Sequence, residues 1–172
     1  MAKEHIYRTF LNWTGNKGQG TANYRVYDRN HVISIAGKDD IKGSSDPSFL
    51  GDPTRYNPEE LLVASLSSCH MLWYLHLCAT NQIVVVDYQD KATGIMQENA
   101  DGSGQFAEVM LSPEVTITEP EKIELANSLH HQANQMCFIA RSCNFPVKHQ
   151  PSCKVAEVRT AEQETNFNSS GF

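Results

Sequence analysis

Short runs of aromatic and β-branched residues alternate with turn residues over the first forty positions. Tyr7 to Trp13, Tyr24 to Tyr27 and Val32 to Ala36 read as strands, with Gly15–Gly20 turning the first into the second. Gly37 to Tyr56 is rich in Gly, Ser, Asp and Pro and reads as a loop too polar for a core. A loop of that length points to a functional or interface role. The spacing then changes. Asn57 to Thr80 is a long, largely apolar helix with Asn57 as N-cap, Pro58 at its first position and Glu59 and Glu60 where the helix dipole is positive.

After Gln82 the pattern returns to strands. Ile83 to Tyr88 is one, and the turn Asn99–Gly104 joins two antiparallel strands, the second being Gln105 to Leu111. Glu114 to Thr118 alternates as another. Thr118 and Glu121 fit a capping box, opening a second helix from Glu119 to Ala140 that Phe145-Pro146 stops. Lys154 to Arg159 is a closing strand, followed from Ala161 by a polar tail. The order βββ-α-βββ-α-β predicts an α+β fold of antiparallel sheets and two long central helices. We expect one domain over residues 1–160 and a tail over 161–172.

Composition narrows the function. The 172 residues are 40% apolar and 20% charged, enough for one hydrophobic core. A formal charge of −6 argues against nucleic acid, whose binders carry a basic face. Met-Ala-Lys-Glu-His-Ile at the start lacks the apolar core of a secretion signal. The longest apolar stretch, Leu61 to Thr80, holds three serines and two histidines behind two glutamates, which favours a buried helix over a membrane span. The five cysteines, Cys69, Cys78, Cys137, Cys143 and Cys153, are odd in number and include no Cys-x-x-Cys pair. Reduced thiols in a cytoplasmic protein are the expectation, with any disulfide transient.

Cys69, deep in the first helix, is either core filling or a nucleophile. The second helix carries His130, His131 and, near its end, Cys137. Two-cysteine redox chemistry needs one sulfur that attacks and a second that captures the sulfenic acid, and two packed helices can bring such thiols together. Metal binding is disfavoured: Cys69 and His76, like His130 and Cys137, are seven residues apart, roughly 10 Å of helical rise. A Cys–His hydrolase would pair Cys69 with a histidine such as His131, but no glycine-rich turn presents the thiol, and His70 points off another helix face. His76 reads as a hydrogen-bonded core histidine or a pocket edge. A third reading is a dimeric binding protein in which Met71, Leu72 and Trp73 line a core or an apolar pocket. Cys78 and Cys153 read as structural, and Cys143 as a secondary resolving thiol.

The run Asn57-Pro-Glu-Glu-Leu-Leu-Val-Ala-Ser-Leu-Ser-Ser-Cys-His70 resembles the signature of the OsmC/Ohr family of osmotically induced and organic hydroperoxide resistance proteins: Asn-Pro-Glu-(Glu/Gln)-Leu, small residues, and a cysteine ten positions after the first glutamate. His131-Gln-Ala-Asn-Gln-Met-Cys137 is similar to the family's second element, His-x5-Cys-Pro, with Phe138 in place of the proline. The order of elements fits over residues 5–160. The resemblance implies an intertwined homodimer with thiol-dependent peroxidase activity in oxidative stress defence and no metal or organic cofactor. By it Cys69 is the peroxidatic cysteine, Cys137 the resolving one and Glu59 the site carboxylate. The implied partners are an organic hydroperoxide and an external thiol or dithiol reductant. A mid-helix thiol needs a cation to ionise at neutral pH. The family supplies an arginine, for which Arg55 is the leading candidate here, with Arg25, Arg29 and Arg141 behind it. Ten helical positions separate Glu59 from Cys69 by roughly 15 Å, so Glu59 serves the partner subunit's thiol or lies on a bent helix start.

Overall fold

Asn57 opens the longest helix as its neighbours dictate. In the computed structural model, which describes residues 3–157, the Asn57 side-chain oxygen accepts from the Glu60 amide at 2.7 Å. The Glu60 carboxylate accepts in return from the Asn57 amide at 3.1 Å, a reciprocal cap that satisfies two otherwise orphan donors. Helix α1 then runs unbroken over Pro58–Thr80. It ends where Gln82 takes a left-handed backbone (φ 56°), the Ile83 amide closes on the Cys78 carbonyl at 2.9 Å, and Lys122 donates to the Gln82 carbonyl. By length and composition α1 could cross a bilayer. Its Leu66, His70, Tyr74, Leu77 and Cys78, however, are buried within the protein.

The chain divides into two compact units, one ending at Ser65 and one beginning at Leu66. In the first, strands β1 (Phe10–Trp13), β2 (His31–Ser34) and β3 (Ile41–Gly43) form an antiparallel meander. Among the described residues none of the buried hydrophobic ones precedes Leu66, and Phe10 and Leu11 stand 67% and 61% exposed. Gly15–Gly20 turns as expected: the Asn16 side-chain oxygen accepts from the amides of Gly18 and Gly20, and both glycines have positive φ.

Two readings of this unit need correction. Tyr24 to Tyr27 is not a strand; its aromatic rings flank the Arg29 guanidinium at 4.2 and 4.3 Å, and Arg29 donates to the carbonyls of both tyrosines. The aromatic richness serves a cation rather than a sheet face. The Gly37–Tyr56 segment is not loop throughout. It contains β3 and a short 3₁₀ turn, Pro47–Phe49, capped by Asp46.

The second unit holds the core. Strands β4 (Val85–Asp90), β5 (Thr93–Glu98), β6 (Gly104–Leu111) and β7 (Pro113–Ile117) precede helices α2 (Ile123–Met136) and α3 (Phe138–Arg141), and β8 (Val147–His149) and β9 (Ser152–Val155) close it. The sheets are ordered β4-β7-β9 and β5-β6-β8. The Asn99–Gly104 hairpin forms as expected, pairing β5 with β6 antiparallel. The α+β fold is therefore as the sequence predicts, but the sheets are mixed, because β8 joins β6 and β9 joins β7 in parallel. Val109, Leu111, Val115 and Ile117 alternate inward along β6 and β7. On α2, Ala126, Leu129, His130 and Ala133 form one buried stripe at helical spacing.

The expected capping box at Thr118 and Glu121 does not form. Glu119 instead accepts from the Val84 amide at 3.0 Å, and a 3₁₀ turn, Pro120–Lys122, precedes α2. The second helix is not continuous to Ala140: it breaks at Cys137. The element order is βββ-α-ββββ-αα-ββ rather than βββ-α-βββ-α-β: four strands, β4 to β7, follow α1 where three were expected, the break at Cys137 adds α3, and β8 adds a strand before β9, which itself begins earlier than Lys154. The remainder of the Lys154–Arg159 strand beyond residue 157, and the tail over 161–172, lie outside the described residues.

Candidate active site: a dithiol at a helix break

Cys137 sits between two helices in extended backbone, φ −66° and ψ 110°. That is the conformation a following proline would impose on it, adopted here with Phe138 in the proline's place. The break frees the Cys137 sulfur to cap α3, accepting from the Ala140 amide at 3.4 Å. Cys137 is 1% exposed, whereas Cys69 on α1 is half-buried. Cys69 is the neighbouring thiol that acts on Cys137, and both are free. Burial, then the hydrogen bond with Cys69, pushes the Cys137 thiol up to about 11. Near neutral pH Cys137 thus keeps its proton and can donate it toward Cys69. The structure brings these two predicted residues together.

Two polar groups of side chains start from the neighbours of Cys69 on α1. The Ser67 hydroxyl donates to Asp90 at 2.5 Å, and the other Asp90 oxygen accepts from the Ser112 amide at 2.7 Å. Asp90 so ties α1 to the end of β4. His70, next to Cys69 in the chain, belongs to a buried histidine cluster that sequence reasoning missed. His70 Nε2 and His130 Nδ1 are 3.0 Å apart, their rings nearly parallel at 5.3 Å, and both residues are fully buried. Tyr74 stacks on His130 at 3.8 Å, and His149 tilts against His70 at 5.6 Å. Burial holds both buried imidazoles neutral, lowering His70 to about 4 and His130 to about 3. The available signal was their place on the apolar stripes: His70 is one turn from Tyr74, and His130 lies between Ala126 and Ala133.

The other candidates are placed as follows. Glu59 is in the first turn of α1, half-buried, and makes no hydrogen bond or ion pair among the described residues. Arg55 is held by Asp52 at 3.3 Å, Arg29 by the two tyrosines, and Arg25 and Arg141 are exposed. Cys143 donates to the Ile139 carbonyl at 3.4 Å. Cys78 and Cys153 belong to the apolar core cluster around Tyr74. His76 is exposed against the edge of Trp73, not a core histidine. His131, the hydrolase candidate, meets the Gln135 amide at 2.9 Å. Among the described residues no three His, Cys, Asp or Glu side chains converge as metal ligands.

Comparison with known proteins agrees with the fold. Residues 51–152 match the OsmC-like protein family. An OsmC-like protein of unknown function from Vibrio cholerae is 30% identical over 87% of this chain and all of its own, with a TM-score of 0.76. The uncharacterized protein YmaD of Bacillus subtilis is 24% identical over 90% of this chain and 97% of its own. An organic hydroperoxide resistance protein from Elizabethkingia anophelis shares the fold at a TM-score of 0.63 and 20% identity, over 88% of this chain and all of its own.

Proposed function

The chain belongs to the OsmC family, and from that membership and its dithiol we propose that it is a cysteine-based peroxidase reducing organic hydroperoxides. The observation that carries the reading is the contact between a half-exposed Cys69 and a buried, protonated Cys137 at a helix break. The Cys69 thiolate attacks the terminal peroxide oxygen. The O–O bond breaks, the alkoxide leaves and is protonated to an alcohol, and Cys69 becomes a sulfenic acid. Cys137 attacks that sulfur, an S–S bond forms, and water departs. An external thiol or dithiol reduces the disulfide and is itself oxidised. A hydrolase has less support, since His131 bonds Gln135 and the two buried histidines bond each other.

Apolar surface next to the thiols favours an organic substrate over hydrogen peroxide: Leu72 and Phe138 are 63% and 67% exposed, and Trp73 meets Phe138 edge-on at 5.6 Å. We read the protein as a cytoplasmic homodimer built from one domain over residues 1–160. The exposed apolar residues of β1 and the unpaired Glu59 support a partner subunit that covers the one and uses the other. Glu59 then serves the partner's thiol, with Arg55 the leading cation beside it. Mixing Glu59→Gln with Cys69→Ser subunits tests this: sites built in trans regain activity in the heterodimer, sites built in cis do not.

The primary test treats the protein with about one equivalent of an alkyl hydroperoxide and counts thiols by mass spectrometry. Loss of two thiols with a Cys69–Cys137 link is the expected result. Unchanged thiols would remove the peroxidase reading.

A further inference from the structure

We propose that the His70–His130 pair is a positioning device for the dithiol, holding α2 against α1 so that Cys137 can close a disulfide on Cys69. The inference rests on the reading of Cys69 and Cys137 as a redox couple. The imidazole bond links the same two helices as the sulfurs do, beginning one residue past Cys69 on α1 and seven residues before Cys137 on α2. Seven residues are about two turns, so His130 and Cys137 share a face of α2.

The surroundings leave the pair little freedom. His130 is fixed from α1 twice, by the hydrogen bond to His70 and by the stack of Tyr74, and His149 packs on His70. Cys137 itself is tied only to residues close to it in the chain. It has left the helical conformation, and the bonds it makes nearby are its amide to the Asn134 carbonyl, its carbonyl from the Arg141 amide and its sulfur from the Ala140 amide. The approach of its sulfur to Cys69 therefore depends on how the preceding two turns of α2 are anchored.

Chemistry also argues against plain core filling. Each ring spends one nitrogen on the other, one donating and one accepting, and keeps a buried nitrogen without a partner: Nδ1 of His70 and Nε2 of His130. An apolar pair of similar volume would avoid that desolvation. What the imidazole pair supplies and an apolar pair lacks is directionality, a single preferred register between two helices.

The test equilibrates the full-length protein in glutathione redox buffers and measures the fraction carrying the Cys69–Cys137 link by mass spectrometry. It needs no peroxide, so it separates this proposal from the peroxidase reading. His130→Phe keeps a ring on Tyr74 and removes the bond; its effective thiol concentration is expected to fall about tenfold. His130→Gln, which can still pair with His70, is expected to stay within about twofold of the parent, as is Val115→Ala, which opens a cavity in the core cluster but leaves the imidazole bond in place. Circular dichroism checks that each variant folds, and His70→Phe replaces His130→Phe if the latter does not. Parent-level linkage in the phenylalanine variant overturns the proposal. So does a fall in His130→Gln or Val115→Ala as large as that in the phenylalanine variant. A parent protein that never links removes the redox couple itself, and the proposal with it.

Discussion

Cys69 and Cys78 ride on one helix, nine residues apart, and have opposite surroundings. Cys78 is 1% exposed and packed among Tyr74, Leu77, Ile83 and Ile117, with Cys153 against the same cluster. Burial pushes both thiols up, and Cys78, unlike the partly exposed Cys153, has no outlet to solvent. Cys69 is half-exposed and neighbours a second thiol that sits at a helix break. Cys137 is as buried as Cys78 and is pushed up by the same cause. What differs is its company. Cys78 shares an apolar cluster on one core with Tyr74 and Cys153, whereas Cys137 stands at a helix break beside a thiol of another helix, the setting a resolving group needs.

The sharpest way to break this contrast is to exchange the two helix thiols' fates. Cys69→Ser is expected to lower hydroperoxide consumption by at least about three orders of magnitude. Cys78→Ala should leave the rate unchanged and cost about 1 kcal/mol of stability through the small cavity it opens. An equal loss of rate in both variants would abolish the distinction. Cys137→Ser comes next: the first round of peroxide reduction should persist, a sulfenic acid at Cys69 should become trappable by dimedone, and turnover should stop. Cys153→Ser should change none of these readouts.

Much of this site was legible in the sequence. Asn57, Pro58 and Glu60 define the start of α1 through local caps that residue types alone specify. The position of Cys69 follows from counting along that helix. The break at Cys137 was not legible, because Phe138 carries no proline signal and the extended backbone there is imposed by tertiary packing. β8 was obscure for a related reason. It is three residues long and pairs in parallel with the distant β6, so no local turn announces it, whereas β9 was expected and only its start was misplaced. The histidine pair stayed hidden because a polar residue on an apolar stripe reveals its partner only once two helices are packed.

A smaller effect concerns acidity. His70 and His130 are depressed to about 4 and about 3 in the folded protein, chiefly by burial, against an ordinary value near 6.5. Between these limits the unfolded chain binds more protons than the folded one, so stability falls as pH is lowered from about 6.5 toward 4 and further toward 3. Urea midpoints measured across that range should drop in the parent and drop less in His130→Gln. A flat profile in the parent would mean that the pair is hydrated rather than sealed beside the thiols.

The mildest perturbation lies at the other end of α1. Asn57→Ala removes the side-chain cap of the Glu60 amide and should cost about 1 kcal/mol, read as a lower urea midpoint with unchanged slope. If the contrast between Cys69 and Cys78 is made by their immediate neighbours, oxidant-driven linkage of Cys69 to Cys137 should not change, since neither sulfur contacts the cap. Peroxide reduction is a separate matter. Glu59 stands two residues after Asn57, and a frayed first turn would loosen the carboxylate we assign to the partner's site. A modest fall in peroxide rate at constant linkage is therefore the expected pattern. A fall in linkage would instead mean that the reactivity of Cys69 depends on the whole helix, and that the local account of the two thiols is wrong.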